Sequence, residues 1–189
     1  MVTEDTLITA DLTDLAKPYA RKLEGLGRVK DGSDPDERIV SGYMLFEAYV
    51  RVGKWQMFPL ILEPLRTYAG APTSENAEIS AFVLQIHKAT GGKGTWTLDR
   101  GFDRDALMLP WLRRRGAFVI RQRGDRHVRL ADGRTLAVAD IAAEMQLRAW
   151  PRRWPKAGYT ASREVWLPEA PDQALLLVVH WRRPKPRSQ

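Results

Sequence analysis

The chain has 189 residues, 44% of them hydrophobic and 28% charged, a length and balance that let it bury a real core as one domain or slightly more. It has no cysteine, which excludes disulfides and thiolate metal sites, and its longest purely apolar run, Ala174–Val179, is far too short for a membrane-spanning helix. The formal net charge of +7 is uneven: through Asp99 there are 11 Lys+Arg against 14 Asp+Glu, and from Arg100 onward 19 against 9.

Leu7-Ile-Thr-Ala-Asp-Leu-Thr13 is apolar on both sides of its alternation, so the pattern predicts a central strand covered on both faces. Asp11 interrupts it. A carboxylate in a buried strand costs several kcal/mol unless it is paired or holds a cation, although Asp11 also has a local use in bonding to Thr13 or capping the turn at Asp14. Residues 14–38, rich in Asp, Gly and Lys, read as a long exposed loop with at most one helical turn. Between Ile39 and Leu65 the pattern is strand, turn, strand, with Gly53-Lys54 at the turn and Pro59 placing the return strand at an edge. Asn76–Thr90 is the clearest helix: Ile79, Phe82, Val83 and Ile86 share a face, and Gly91-Gly92 stops it. His87, His127 and His180 have no ligand spacing between them. Gly91-Gly-Lys-Gly-Thr95 fails as a phosphate-binding loop, because Lys93 is followed by Gly94 and the segment lies between a helix and the next strand.

Thr95–Leu98 then reads as a short buried strand that delivers Asp99 at its carboxyl end, with Arg100-Gly101 turning into a helix near Asp103 or Asp105. An acid at a strand's carboxyl end is where ligands of open α/β sheets bind; capping the next helix is its bland alternative. Asp105–Arg115 is a helix with Pro110 as a kink, and Ala117–Arg121 a strand. Asp132-Gly133 marks a hairpin, a short helix follows at Ile141–Leu147, and Arg163–Leu167 pairs with Ala174–Trp181 in a second hairpin. Trp150 and Trp154, beside prolines, are expected to pack on their own fold rather than on bases.

If the first strand is central and the Asp99 strand lies beside it, Asp11 and Asp99 are neighbours. Two carboxylates ~4 Å apart repel by ~4 kcal/mol at an effective dielectric of 20, and a divalent cation between them relieves this. Oxygen-only ligands point to Mg2+ or Mn2+. The basic second half points to a polyanionic partner, with Arg100, Arg121, Arg123, Arg126, Arg152 and Arg153 as its phosphate contacts.

Thr9-Ala-Asp11-Leu-Thr-Asp14-Leu-Ala-Lys17-Pro-Tyr19-Ala, Gly42-Tyr43, Leu98-Asp99-Arg100-Gly101-Phe102-Asp103 and Phe118-Val-Ile-Arg121 resemble the insertion-sequence DDE transposases, from about Leu7 to Arg123. The resemblance implies an α/β fold with a ribonuclease-H-like mixed sheet and flanking helices over residues 1–124, then a partial β-rich insertion and loose basic tail over residues 125–189. It implies DNA cleavage and strand transfer by two-metal phosphoryl transfer, with Asp11 and Asp99 as the catalytic and metal-binding acids. The family's third acid, a Glu in a Tyr-x2-Arg-x3-Glu-x6-Lys helix, has no match: Glu144, Glu164 and Glu169 lack that context. The expectation is therefore a truncated transposase, inactive in strand transfer by itself. Its partners are DNA and either a full-length transposase or a second copy of the chain, not a membrane. The expected location is the cytoplasm, on the nucleoid when DNA is bound. The alternatives are a ribonuclease-H-like nuclease using fewer acids or recruiting Glu144, and a non-catalytic basic remnant that occupies DNA.

Overall fold

The computed structural model describes residues 2–32, 34–36, 38–53, 56–145, 148–149 and 158–182. It is a mixed α/β protein in which strands dominate, and it divides into two compact units at Arg121/Gln122, three residues before the boundary expected from sequence.

The first unit is built on a mixed sheet. Strand β1 (Leu7–Ala16) lies at its centre, between β3 (Ile39–Val52), antiparallel to it, and β5 (Thr95–Leu98), parallel to it. β6 (Ala117–Ile120) extends the sheet in parallel beyond β5. On the other side, β2 (Gly27–Lys30) and β4 (Gln56–Pro64) both pair antiparallel with β3, β2 along its start and β4 along its remainder. β2 falls within the stretch expected to be loop, and β1 also runs three residues further than expected. Pro59 does sit in an edge strand, next to a register shift between Ala48 and Tyr49 of β3.

Two helices cover one face. α1 (Glu75–Ala89) is capped by Ser74, whose hydroxyl accepts from the Ala77 N–H at 3.2 Å. Its Glu78 is buried, accepting from the Thr67 N–H at 3.0 Å and facing the Arg66 Nε at 3.4 Å. α2 (Asp105–Arg113) keeps Pro110 inside it. It ends with Gly116 N–H on the Trp111 carbonyl and Arg115 N–H on that of Leu112, the paired bonds of a glycine-type helix stop. The residue in the left-handed position is nevertheless Arg115, at φ 54°.

Ile79, Ile86, Leu107 and Trp111 from the helices share one core with Ile8, Ala10, Phe46, Ala48, Trp96 and Leu98 from the sheet. An aromatic seam runs through it, with ring centroids 5.4 Å apart for Phe46–Phe82, 5.7 Å for Trp96–Trp111 and 6.1 Å for Trp111–Phe118. The opposite face of the sheet is open. Leu7, Asp11, Thr13 and Leu15 of β1 are exposed there, so the central strand is covered on one side, not both. Since cross-strand partners share a face, Glu47, Tyr49 and Thr97 belong to the same side.

The second unit is an antiparallel sheet in the order β11-β10-β7-β8, with β9 (Arg148–Ala149) also on β10. Its strands are β7 (His127–Arg129), β8 (Thr135–Ala137), β10 (Gly158–Leu167) and β11 (Ala170–Arg182). The Asp132-Gly133 turn joins β7 to β8, with Gly133 at φ 86°. α3 spans Val138–Glu144, starting earlier than expected, and buries Val138 and Ile141 with Val128, Leu130, Val165, Leu167 and Leu177. No helix among the described residues is long and apolar enough to cross a membrane.

Candidate active site at the sheet edge

The parallel ladder between β1 and β5 ends at Ala10 opposite Leu98, so the next residues, Asp11 and Asp99, stand level on neighbouring strands. Below them the Thr9 and Thr97 hydroxyls hydrogen-bond to each other at 2.8 Å, on the same face. The level continues on both sides. Asp11 is directly opposite Glu47 on β3. Arg121 follows the Leu98–Ile120 pair of β5 and β6, and its N–H donates to the Leu98 carbonyl at 3.1 Å. One cross-strand row therefore reads Glu47, Asp11, Asp99, Arg121.

Each of the two aspartates has one oxygen fixed by backbone. Asp11 Oδ1 accepts from the Leu12 N–H at 2.8 Å, and Asp99 Oδ1 from the Gly101 N–H at 2.7 Å. Asp99 is thus both the strand-end acid and the cap of the short 3-10 turn Arg100–Phe102. Gly101 is there for room: a Cβ on it would lie 3.0 Å from Asp99 Oδ1. It has no positive φ, so its part is close approach to the carboxylate, not a left-handed turn.

Asp11 is exposed as a residue, yet its carboxyl titrates above the ordinary carboxylate value. Partial burial of that carboxyl is the largest cause, and the charges of Asp99 and Glu47 push the same way, while the Leu12 N–H opposes them. Glu47 accepts from the Tyr49 hydroxyl at 2.7 Å and lies 3.4 Å from the Thr13 hydroxyl. The Tyr49 bond to Glu47, with some burial, holds the phenol above its usual range.

The donors are all oxygen, the chemistry magnesium and manganese prefer, and magnesium commonly takes one or two carboxylates and completes its shell with water and substrate phosphate. Asp11 and Asp99 fit that requirement. Among the described residues, no group of three or more His, Asp or Glu side chains is gathered closely enough to hold an ion. Glu47 is the acid that sequence reasoning missed. Its place on an alternating strand was visible, but its position opposite Asp11 is a fact of register.

Of the arginines expected to contact phosphate, Arg100 and Arg121 are exposed beside Asp99, Arg100 in the turn that Asp99 caps and Arg121 at the end of β6. Arg123 and Arg126 belong to the second unit. Arg152 and Arg153, with Trp150 and Trp154, lie outside the described residues. Glu144, the alternative third ligand, closes α3 in the second unit and faces Arg163 at 4.0 Å. The chain matches no protein-family model and no curated protein.

Proposed function

We propose that the first unit is a ribonuclease-H-like phosphoryl-transfer domain that cleaves DNA phosphodiesters, of the kind found in insertion-sequence DDE transposases. The observation that carries this reading is the β1–β5 register, which sets Asp11, in the middle of β1, level with Asp99 at the carboxyl end of the parallel strand β5. The strand order, with β4 and β2 outside β3, then β1, β5 and β6, supports the fold half of the proposal. So do the two helices that precede and follow β5.

In this reading Asp11 and Asp99 hold Mg2+ or Mn2+. The metal would supply an activated water or 3′-hydroxyl and stabilise the leaving oxygen of an in-line displacement. The chain's own contribution is positioning. The Leu12 and Gly101 N–H groups each fix one carboxylate oxygen, which orients the other. The Asp11 carboxyl is raised first by partial burial and then by the charges of Asp99 and Glu47, and a cation would relieve the second of these. Arg121 and Arg100 flank the acids with positive charge for the substrate's phosphates, where guanidinium offers paired donors.

The test is nicking of supercoiled plasmid DNA with millimolar Mn2+. Wild type should nick, and Asp11→Asn and Asp99→Asn should each lose nicking while still binding duplex DNA at low salt. Undiminished nicking by both variants would overturn the assignment.

A further inference from the structure

An open cavity lies on the helical side of the first unit. β1, β4, β5 and β6 all run one way, so α1 and α2 both return across the sheet in the opposite sense and lie parallel, with their carboxyl ends together. α1 gives Ile79 and Ile86 to the core, while Ser80, Ala81 and Leu84 line the gap towards α2. Small side chains there leave the space between the helices unfilled, and a cavity of about 330 Å³ lies between them.

The cavity is apolar along its length and basic at one end. Leu84 and Pro110 both line it, and His87 and Arg114 stand where the two helices finish. Arg114 Nη1 donates to the Pro110 carbonyl at 3.2 Å, which folds the guanidinium back along α2 and engages one of its five N–H donors. His87 packs on Gly92, where a Cβ would come within 3.1 Å of its Cε1, so glycine at φ 77° makes space for the ring. Trp111 also lines the cavity; it is 4% exposed, and its indole N–H has no hydrogen-bond partner among the described residues. Basic residues at helix ends complement the helix dipole, which accounts for Lys88 and Arg113 but not for an open space beside His87 and Arg114.

We propose that this groove binds a small carboxylate with an apolar body, its head between His87 and Arg114 and its tail along Ala81, Leu84 and Pro110. The site is independent of the carboxylate row, which lies on the other face of the sheet.

Octanoate and octanol, titrated into the full chain and followed by the tryptophan indole N–H resonances and by calorimetry, test it. Octanoate should bind saturably and about tenfold or more tighter than octanol, the scale of a hydrogen bond to a charged group. Arg114→Gln should remove that preference and leave octanol binding unchanged. Ala81→Phe, at an exposed position, should block both ligands without altering the far-ultraviolet circular dichroism. Octanoate binding that does not saturate, that octanol matches, or that survives Ala81→Phe overturns the proposal. None of these results depends on DNA cleavage.

Discussion

Replacing Asp11 by asparagine should make the protein more stable at neutral pH while abolishing its chemistry. The amide keeps an oxygen to accept the Leu12 N–H and removes only the charge. Neighbouring strands are about 4.8 Å apart. Two unit charges at about 5 Å repel by about 3 kcal/mol at an effective dielectric of 20 and by about 0.8 kcal/mol in bulk water. Asp11 and Asp99 are both exposed, which favours the lower end, so the expected gain is about 1 kcal/mol. The sign follows from the raised Asp11 carboxyl. Between the unfolded value of 3.8 and the higher folded value, the native state holds the proton more tightly, so wild-type stability falls as pH rises through that window. The advantage of Asp11→Asn should therefore be present at pH 7 and vanish near pH 3. Paired urea titrations at the two pH values measure it, with differences in midpoint converted through a common slope. Millimolar Mn2+ should narrow the gap at pH 7 by stabilising only the wild type. A variant less stable than wild type by the same amount at both pH values would refute the reasoning, since charge crowding would then play no part at Asp11.

Two further predictions concern the scaffold. Arg115→Gly should stabilise the first unit by about 0.5–1 kcal/mol in chemical denaturation, because glycine takes the left-handed position at the end of α2 without a Cβ penalty. Glu78→Ala should destabilise it by about 1–3 kcal/mol by leaving the part-buried Thr67 N–H without its acceptor, and Glu78→Gln should recover much of that loss in the same assay.

Much of the scaffold was legible where the signal was local. The Ile79, Phe82, Val83 and Ile86 stripe and the Gly91-Gly92 stop mark α1, Asp132-Gly133 marks a turn, and Pro59 marks an edge strand. β2 was not legible: of its four residues only Gly27 and Val29 are buried, too few for a period to show. The one-sided burial of β1 was hidden because Leu7 and Leu15 are apolar yet 36% and 40% exposed on the open face. Asp11 and Asp99 stood out because each is an acid at a position the local pattern reserves for something else. Glu47 did not, since what matters about it is which residue lies across from it, and only the assembled sheet decides that; Arg121 was legible as a phosphate contact, but its place level with Asp99 is likewise a fact of register.

The hydrogen bond between Thr9 and Thr97 spans 88 residues of sequence, and it bears on how the protein comes to be folded. β1 precedes the other described strands of its sheet in the chain and lies in the middle of that sheet. Its antiparallel partner β3 is available soon after synthesis, but its other edge must wait for β5, and closing so long a loop is the slow kind of contact. Until then the β1 edge is unpaired backbone, the template on which wrong strand additions form. The last edge to close is also the one that brings Asp99 beside Asp11. Intermediates on the ribosome or in refolding would carry the first acid without the second, so the carboxylate pair comes together only as the central sheet is completed.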